Sequence, residues 1–555
     1  MKVALAQLNY TIGHFDSNAD KIIASINRAK ADGARLVVFS ELSVCGYPPH
    51  DLLTHKHFVD KSIATVNQIA QYCNGIYAIV GAPSINTDTT GKLLFNSAYL
   101  LGEGKVLDAY HKTLLPDYDI FDEYRYFEPN PGNYRVAEID GIKIAITICE
   151  DIWDDQPTTT AFSRSKLYRD APMNHLVKLN PDMVINISAS PFSYNVEERR
   201  LQVFQSNVAR YSKPVIYVNQ VGGNTDLLFD GGSMVVNAGG DIIEKLKSFE
   251  EDFRVIDTNV LERNQSIPPE ISATSDQRIE RIHNALVMGI RDYFGKLGFT
   301  KATLGLSGGI DSAVVLALAA QALDVNNIRV LLMPSQYSSQ HSIDDAVELA
   351  QKLGVQYDIV SIQPIFESFK NQLSSIFEGR PEDITEENIQ ARVRGTLLMA
   401  ISNKFGHLLL NTSNKSEAAV GYGTLYGDMC GALSVLGDVY KTDVYRLANY
   451  INRNDEIIPI NTIQKPPSAE LRPNQKDSDS LPPYEILDPI LFAYIEQGLS
   501  AEEIVGLGFP SDTVNRTLRL VNMNEYKRYQ SPPILRVSSK AFGYGRKMPL
   551  VTKWS

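Results

Sequence analysis

Three residues with reactive side chains, Glu41, Lys112 and Cys149, each follow a strand-like segment in the first half of the chain. A cysteine attacks as its thiolate, so it needs a base to take the proton and a positive charge nearby. Glu41 can serve as that base, and Lys112 can stabilise both the thiolate and a tetrahedral oxyanion. Taken singly, a cysteine at a strand end is more often a small buried residue, and a lone charged residue is usually solvated. The three together predict covalent catalysis by a cysteine.

A second reactive segment is residues 307–312, Ser-Gly-Gly-Ile-Asp-Ser, which lies between an apolar strand pattern and an Ala/Leu-rich helix pattern. Gly308 and Gly309 have no side chain, so backbone N–H groups can close around an anion at the positive end of the helix. Asp311 stands where the Walker A motif has its lysine, and an acid beside phosphates implies an intervening divalent cation. An ordinary glycine-rich turn is the alternative, but the order of all six residues favours a phosphate-binding loop.

The elements that position these residues fall into two α/β halves. Up to about residue 255, strand-like segments alternate with amphipathic helices such as residues 20–32, which predicts a layered α/β domain. The predicted strands are residues 3–7, 36–39, 76–80, 143–148, 183–187, 215–218 and 233–237. A polar segment without apolar period follows. We therefore predict a domain over residues 1–260, a linker over 261–277 and a second domain over 278–555.

The second half has the alternation that is typical of a parallel sheet. The predicted elements are helix 278–296, strand 302–306, helix 311–323, strand 328–333 and helix 341–353. Ligands of such sheets bind at the C-terminal ends of the strands, which is where residues 307–312 lie. Residues 464–483 are rich in proline and poor in apolar residues, so they predict a loop that is either solvated or ordered by binding.

Composition limits the classes of function. At 555 residues the chain is too long for one hydrophobic core. A net charge of -12 and a pI near 5.4 argue against broad binding of nucleic acid or anionic membranes and favour a small-molecule substrate. No apolar run approaches the ~18 residues that span a bilayer, and the first residues form a strand pattern and not a signal peptide. We expect no nucleic-acid or membrane partner and a cytoplasmic location.

The first 260 residues or so resemble the nitrilase superfamily of C–N hydrolases, through the contexts Val-Val-Phe-Ser-Glu41, Tyr-His-Lys112-Thr and Thr-Ile-Cys149-Glu. This resemblance implies a four-layer αββα sandwich and cleavage of an amide through a thioester. It implies Glu41 as general base, Lys112 as the charge-stabilising residue and Cys149 as nucleophile. It also implies that Glu123, in Phe-Asp-Glu-Tyr, is a second glutamate that assists.

The same resemblance implies a set of residues that hold a glutamine substrate: Tyr118, Phe121, Glu150 and Ser190. Relatives carry a basic residue soon after the Ser-Pro turn, whereas this chain has Tyr-Asn-Val at residues 194–196. Arg199 and Arg200 remain as alternatives for binding the glutamine carboxylate.

Residues 307–312 resemble the PP-loop of ATP pyrophosphatases, which split ATP into AMP and pyrophosphate while they adenylate a second substrate. An amidohydrolase joined to such a domain implies that ammonia from an amide attacks an adenylated carboxylate. Across both halves the chain resembles the glutamine-dependent NAD+ synthetases. This resemblance implies the substrates deamido-NAD+, ATP and L-glutamine, Mg2+ bound with ATP, a Rossmann-like parallel sheet in the second domain, and a homo-oligomer.

The family resemblance also assigns residues in the second half. Those implied in ATP binding are Ser307, Gly308, Gly309, Ile310, Asp311, Ser312, Met333, Thr412, Lys441 and Ser468. Those implied in binding deamido-NAD+ are Asn388, Arg392 and Asp428, and those implied in binding the metal are Asp311 and Glu417. Arg392 and Arg394 are expected near one another on a helix, and Arg394 is the one more readily explained as a solvated or ion-paired side chain.

Two other functions stay open at this point. One is an amidase or nitrilase whose second half is a non-catalytic nucleotide-binding module, and the other is a glutamine-dependent AMP-forming ligase with a different acceptor. Intact Asp311 and Glu417 argue against a non-catalytic module, and the segments around Asn388 and Ser468 favour deamido-NAD+. Turnover of ATP to AMP separates a ligase from an amidase.

Overall fold

The chain divides into two units, Met1–Ala273 and Thr274–Ser555. The structure is a computed structural model that describes residues 1–153, 167–262, 275–473 and 475–553. Most of the predicted linker, residues 261–277, lies outside the described residues, and residues 275–277 belong to the first helix of the second unit. The predicted domain bounds therefore stay a prediction. No helix in the described part of the chain is long and apolar enough to cross a membrane.

Fourteen strands and four α-helices are described in the first unit. The strands are β1 (Lys2–Gln7), β2 (Leu36–Val38), β3 (Tyr77–Ile85), β4 (Leu94–Gly102), β5 (Lys105–His111), β6 (Ala137–Ile139), β7 (Ile142–Ile148), β8 (Met183–Ser188), β9 (Val215–Asn219), β10 (Val221–Asn224), β11 (Leu227–Asp230), β12 (Met234–Val236), β13 (Ile242–Lys245) and β14 (Asp252–Asp257). The helices are α1 (Phe15–Ala31), α2 (Lys56–Ala70), α3 (Pro172–Leu176) and α4 (Val196–Tyr211).

These elements form four layers. Two six-stranded sheets have the orders β14-β1-β2-β3-β4-β5 and β13-β12-β9-β8-β7-β6. Alternate residues of each strand face opposite sides, so Leu5 and Ile185 meet in a core shared by the sheets, whereas Ala4 faces the helices α1 and α2. Phe204 of α4 packs on the outer face of the other sheet. The predicted αββα sandwich is confirmed.

The hydrophobic pattern predicts β1, β2, β3, β7, β8, β9 and β12, and the strand-like segment before Lys112 is the end of β5, but the other strands are omitted. Strand β13 shows why, since its side chains are all partly or fully exposed and do not alternate. Helix α1 begins at Phe15, five residues before the predicted start, because the His14 side chain accepts a hydrogen bond from the N–H of Ser17 and caps it. Strands β7, β8 and β9 are parallel, so their C-terminal ends meet at one edge.

A five-stranded parallel sheet with helices is described in the second unit, as predicted. Its strands are β15 (Ala302–Gly305), β16 (Ile328–Leu332), β17 (Gln356–Ile359), β18 (Leu408–Asn411) and β19 (Leu433–Ser434). Its helices are α5 (Ser275–Leu297), α6 (Ile310–Ala322), α7 (Gln340–Leu353), α8 (Gln363–Leu373), α9 (Ile384–Phe405), α10 (Lys415–Val420), α11 (Lys441–Ile451), α12 (Ile460–Gln464), α13 (Tyr484–Ile495), α14 (Ala501–Gly506), α15 (Ser511–Met523) and α16 (Glu525–Arg528).

The strand order of this sheet, β17-β16-β15-β18-β19, places a switch point at β15. The chain leaves β15 towards β16 on one side, and the later strand β18 returns to the other side, so a crevice opens beyond the ends of these strands. The segment that joins β15 to α6 is residues 306–309. The glycine-rich run therefore lies in the crevice where ligands of such sheets bind.

Candidate active sites

Cys149 lies at the sharp turn that follows β7. Its φ of 45° is in the left-handed region, which a non-glycine residue adopts only when surrounding contacts hold it there. Asp151 supplies such contacts, because its carboxylate accepts hydrogen bonds from the N–H of Ile148 at 3.0 Å and from the N–H of Leu114 at 2.9 Å. The turn that presents Cys149 is therefore tied to the segment directly after Lys112.

Lys112 lies between two glutamates in the interior of the first unit. Its Nζ donates to Glu41 Oε1 at 2.7 Å and to Glu123 Oε2 at 2.7 Å. The side chains of Lys112 and Glu41 are fully buried, and only 5% of Glu123 is exposed. Burial by itself would lower the pKa of Lys112, but the charges of Glu123 and Glu41 outweigh it and raise that pKa well above the usual value. Lys112 is held as a cation at a fixed position.

Both glutamates have further donors that fix their orientation. Glu41 Oε1 accepts a hydrogen bond from Asn96 Nδ2 at 2.7 Å, and its Oε2 accepts one from the N–H of Ala189 at 3.0 Å. Glu123 accepts one from the hydroxyl of Tyr47 at 3.0 Å. Burial raises the pKa of Glu123 to about 7, against the opposing effect of the lysine. Both carboxylate oxygen atoms of Glu41 are thus held by donors.

Cys149 is 4% exposed, and its thiol interacts with the charges of Glu41 and Lys112. Burial raises its pKa well above the usual value, the charge of Glu41 raises it further, and Lys112 opposes both. The resting cysteine therefore keeps its proton. Attack on a carbonyl requires that a base accept this proton as the carbon–sulfur bond forms, which is general-base catalysis.

Two of the residues implied in glutamine binding, Tyr118 and Phe121, lie beside a third, Glu150. The hydroxyl of Tyr118 donates to Glu150 Oε1 at 2.8 Å, and the rings of Tyr118 and Phe121 pack edge to face with centroids 5.5 Å apart. The hydroxyl of Tyr168 donates to the same oxygen at 2.9 Å. Burial raises the pKa of Glu150, and both hydroxyls lower it. Tyr168 carries no signal in its sequence context that would have drawn attention to it.

Ser190 lies against a buried arginine. Arg200 is fully buried and donates to the Ser190 carbonyl at 2.8 Å and to Asp230 Oδ2 at 2.8 Å, and its Nε is 3.3 Å from Ser190 Oγ. The side chain of Arg199 is exposed. The two alternatives for binding the glutamine carboxylate therefore lie in different places. Arg200 is inside the fold, where it orients Ser190, and Arg199 is at the surface.

A pocket of about 300 Å³ lies in the crevice of the second unit. It brings together side chains from the ends of β15, β16 and β18 and from the loop after α12. The sequence-predicted residues that line it are Ser307, Gly309, Ile310, Asp311, Ser312, Met333, Thr412, Glu417, Asp428, Lys441 and Ser468. A lining that combines polar groups with the apolar side chains of Met333 and Leu398 suits a nucleotide.

Gly308 allows the glycine-rich loop to approach α7. Its φ is 77°, and a Cβ at this position would lie 2.1 Å from the carbonyl oxygen of Ser342. Within the loop, the N–H of Gly309 donates to Ser307 Oγ at 3.2 Å, and Ser312 Oγ donates to the carbonyl of Gly309 at 3.0 Å. The loop therefore packs with its hydroxyls and N–H groups at the N-terminus of α6, as an anion site requires.

Asp311 and Glu417 converge on Lys441. Lys441 Nζ forms a short ion pair with Asp311 and lies 3.6 Å from Glu417 Oε1, and Asn414 Nδ2 donates to Asp311 Oδ1 at 2.9 Å. Burial raises the pKa of Glu417 to about 8, and the charge of Asp311 adds to the rise. The pocket therefore holds two carboxylates close together with one lysine to balance them.

The two arginines of α9 do not share a face. Residues two apart on a helix point in nearly opposite directions, so the expectation that Arg392 and Arg394 lie near one another is wrong. Arg392 is exposed and donates to the carbonyl of Leu425 at 3.2 Å, whereas Arg394 lines the pocket. Asn388 accepts a hydrogen bond from the hydroxyl of Thr424 at 2.7 Å.

The proline-rich loop after α12 lines part of the pocket. The Ser468 hydroxyl donates to the carbonyl of Gln475 at 2.6 Å within the loop itself. Glu470 accepts hydrogen bonds from Ser342 Oγ at 2.7 Å and from Ser339 Oγ at 2.9 Å at the N-terminus of α7. Glu470 was not expected from the sequence, although an acid within a loop near a phosphate site is the kind of residue that could have been singled out.

These sites define a class of bifunctional enzyme, in which a cysteine amidohydrolase and an ATP-using synthase share one chain. The family model described as carbon-nitrogen hydrolase matches residues 2–263, and the one described as NAD synthase matches residues 282–531. The chain belongs to the glutamine-dependent NAD+ synthetase family, because it is 45% identical to the member from Synechocystis sp. over 99% of this chain and 98% of that protein.

Two further relatives agree. The glutamine-dependent NAD(+) synthetase of Acinetobacter baylyi is 43% identical, and the match covers 100% of this chain and 98% of that protein. A solved structure of the glutamine-dependent NAD+ synthetase from Acinetobacter baumannii, in complex with ADP, is 39% identical with a TM-score of 0.77. That match covers 100% of this chain and 99% of the other.

Proposed function

We propose that this protein converts deamido-NAD+ to NAD+, with L-glutamine as the nitrogen donor and ATP as the source of energy. The products are NAD+, AMP, pyrophosphate and L-glutamate. The observation that carries this proposal is the presence in one chain of both sites, in a sequence that matches family members from end to end. Membership of the family supports the reaction, and the geometry of each site supports the roles of individual residues.

In the first unit, we assign the cleavage of glutamine to Cys149. As Sγ attacks the amide carbon, Glu41 takes the thiol proton, and Lys112, 2.7 Å from Glu41, stabilises the oxyanion. Glu41 then returns the proton to the departing nitrogen, which leaves as ammonia, and a glutamyl thioester remains. Water, deprotonated by Glu41, hydrolyses the thioester to glutamate. Tyr118, Phe121, Glu150 and Ser190 hold the substrate, and Glu123 keeps Lys112 in position.

In the second unit, we assign the activation of the acceptor to the glycine-rich loop. The carboxylate of deamido-NAD+ attacks the α-phosphorus of ATP, and pyrophosphate leaves against the N–H groups of residues 307–312 and Lys441. Ammonia then attacks the carbonyl carbon of the adenylate, and AMP departs. Ammonium has no lone pair, so we propose that ammonia passes from one site to the other without being protonated. Asn388, Arg392 and Asp428 are assigned to the dinucleotide.

Mg2+ fits the carboxylates of the second pocket. Asp311 and Glu417 offer hard oxygen atoms beside the phosphate loop, and among the described residues no group of three or more His, Cys, Asp or Glu side chains is arranged to hold a metal by itself. Mg2+ commonly uses one or two carboxylates together with substrate phosphates. When bound, it would neutralise charge on the phosphates. Asp311 and Glu417 are therefore proposed as its protein ligands.

One assay separates this proposal from its alternatives. Purified protein is given glutamine, MgATP and one acid at a time: deamido-NAD+, nicotinic acid mononucleotide or aspartate. We expect NAD+, AMP, pyrophosphate and glutamate in equal amounts with deamido-NAD+. AMP with another acid and no NAD+ would indicate a different ligase, and ammonia release without ATP turnover in any mixture would indicate an amidase. Either outcome would sink the proposal.

A cytoplasmic location and self-association complete the proposal. The use of ATP and of a free dinucleotide supports the location.

Exposed apolar side chains on and after α8, among them Phe369 at 48% and Ile376 at 69%, support an interface between copies of the chain. Sedimentation at several protein concentrations tests this self-association, and a monomer at every concentration would contradict it.

A further inference from the structure

Arg394 presents a guanidinium group to the pocket of the second unit. It lies on α9 and is half-buried, and its Nε donates to the carbonyl oxygen of Met333 at 3.1 Å. Among the described residues, this is its one hydrogen bond, so the two terminal nitrogen atoms are left to the pocket. A guanidinium group has five N–H donors in a planar fork, of which the Met333 contact uses one.

The nearest carboxylates do not neutralise this charge by direct contact. Asp428 and Glu470 both raise the pKa of Arg394, but burial outweighs them and lowers it to about 10. Asp428 Oδ1 accepts a hydrogen bond from the N–H of Thr424 at 2.6 Å, and Glu470 is engaged by the serines of α7. Within the described residues Arg394 forms no ion pair.

The surroundings of Arg394 indicate where an anion would sit. Leu398 lies one turn further along α9 and packs with Met333 near Gly305, and all three residues line the pocket. The phosphate loop begins two residues after Gly305. Arg394 therefore lines the same pocket as the phosphate loop and these apolar side chains, within reach of the charge of Asp428.

We propose that Arg394 binds the anionic oxygen atoms that meet at the reacting centre, those of the acceptor carboxylate or of the α-phosphate of ATP. This inference rests on the proposed function. Guanidinium forks bind carboxylate and phosphate in the same planar geometry, so both sources share one recognition chemistry. If the carboxylate is the ligand, Arg394 also distinguishes deamido-NAD+ from NAD+, because the product carries a neutral carboxamide at that position.

The test uses the full-length variant Arg394→Gln, with Lys404→Gln on an exposed turn of the same helix as the matched control. Synthesis is driven by ammonium chloride, so that the first unit plays no part. KM is measured for deamido-NAD+ and for ATP, and binding of ATP, deamido-NAD+ and NAD+ is measured by calorimetry with Mg2+ present. Loss of a charge-assisted hydrogen bond predicts an affinity about 10- to 100-fold weaker.

Weaker binding of deamido-NAD+ with unchanged binding of ATP and NAD+ identifies the carboxylate as the ligand. Weaker binding of ATP alone identifies the α-phosphate. Unchanged affinity for both ATP and deamido-NAD+, within about twofold of wild type, overturns the inference. If Arg394→Gln does not fold, Arg394→Lys is judged by the same measurements, since it keeps the charge but loses the fork. Failure of the wild-type protein to make NAD+ would instead refute the proposed function.

Discussion

Asp151 accepts a hydrogen bond of 2.9 Å from the backbone N–H of Leu114, and this contact joins the two segments that carry the nucleophile and the lysine. The same carboxylate accepts from the N–H of Ile148, directly before Cys149. Asp151 is 3% exposed, and burial raises its pKa to about 6 while the N–H groups of Leu114 and Ile148 lower it. Asp151 thus ties the turn that carries Cys149 to the segment directly after Lys112.

Asp151→Asn tests this positioning. Asparagine has one acceptor oxygen, so the N–H of Ile148 or of Leu114 loses its partner, at a cost of about 1–3 kcal/mol in the free energy of unfolding. A small displacement of the nucleophile is expected to lower glutamine-driven kcat about 100-fold. Ammonium-driven synthesis should not change. Asp140→Asn, an exposed carboxylate paired with Arg35, is the matched control, and equal glutamine-driven rates in the two variants would refute the positioning role.

Cys149→Ala is expected to abolish glutamine-driven synthesis, because no other group can form the thioester. Synthesis from ammonium salts should remain near the wild-type rate, since the adenylating pocket lies in the other unit. The measurement is NAD+ formation with each nitrogen source, and Cys73→Ala, a buried core cysteine, is the control. Loss of both activities in a folded Cys149→Ala protein would show that the two sites are not independent.

His111 predicts a specific pH dependence of stability. Burial, with help from the charge of Arg135, lowers the pKa of His111 from 6.5 to about 4. Between these two values the unfolded chain binds a proton that the folded chain does not, so protonation destabilises the fold as the pH falls through that window. Urea unfolding at pH 7 and pH 4.5 should show that His111→Gln loses less stability than wild type, by on the order of 1–2 kcal/mol.

The control for this prediction is His57→Gln, which replaces an exposed histidine at the start of α2. It should lose as much stability as wild type between the two pH values. If His111→Gln and wild type lose the same free energy of unfolding between pH 7 and pH 4.5, His111 is protonated in the folded protein within this window.

Gly308→Ala is expected to disrupt the phosphate loop. The new Cβ would lie 2.1 Å from the carbonyl oxygen of Ser342, so the loop must move away from α7. We expect KM for ATP in ammonium-driven synthesis to rise about 10-fold or more, since a displaced loop loses charge-assisted hydrogen bonds to phosphate. Gly354→Ala is the matched control, because it has a φ of 69° but no atom within 4 Å of the new Cβ. Equal KM values for ATP in both variants would contradict the steric argument.

Local patterns predicted the elements that carry the chemistry. The apolar run of β7 ends directly before Cys149, and that of β15 ends directly before the glycine-rich loop. The apolar pattern predicts both strand ends, and the glycines also mark the second one. Half-exposed strands such as β13 leave no clear period, and their place in the sheet depends on how the neighbouring strands pair.

The sequence by itself determined which kinds of side chain were available: a cysteine, a glutamate and a lysine after strands, and a glycine-rich turn with an acid. Only the tertiary structure decided which of them meet. Lys112 contacts Glu41 across 71 residues, and Lys441 contacts Asp311 across 130. It also decided that Arg394, and not Arg392, faces the pocket, because the direction of a side chain on a helix follows from how the whole helix packs.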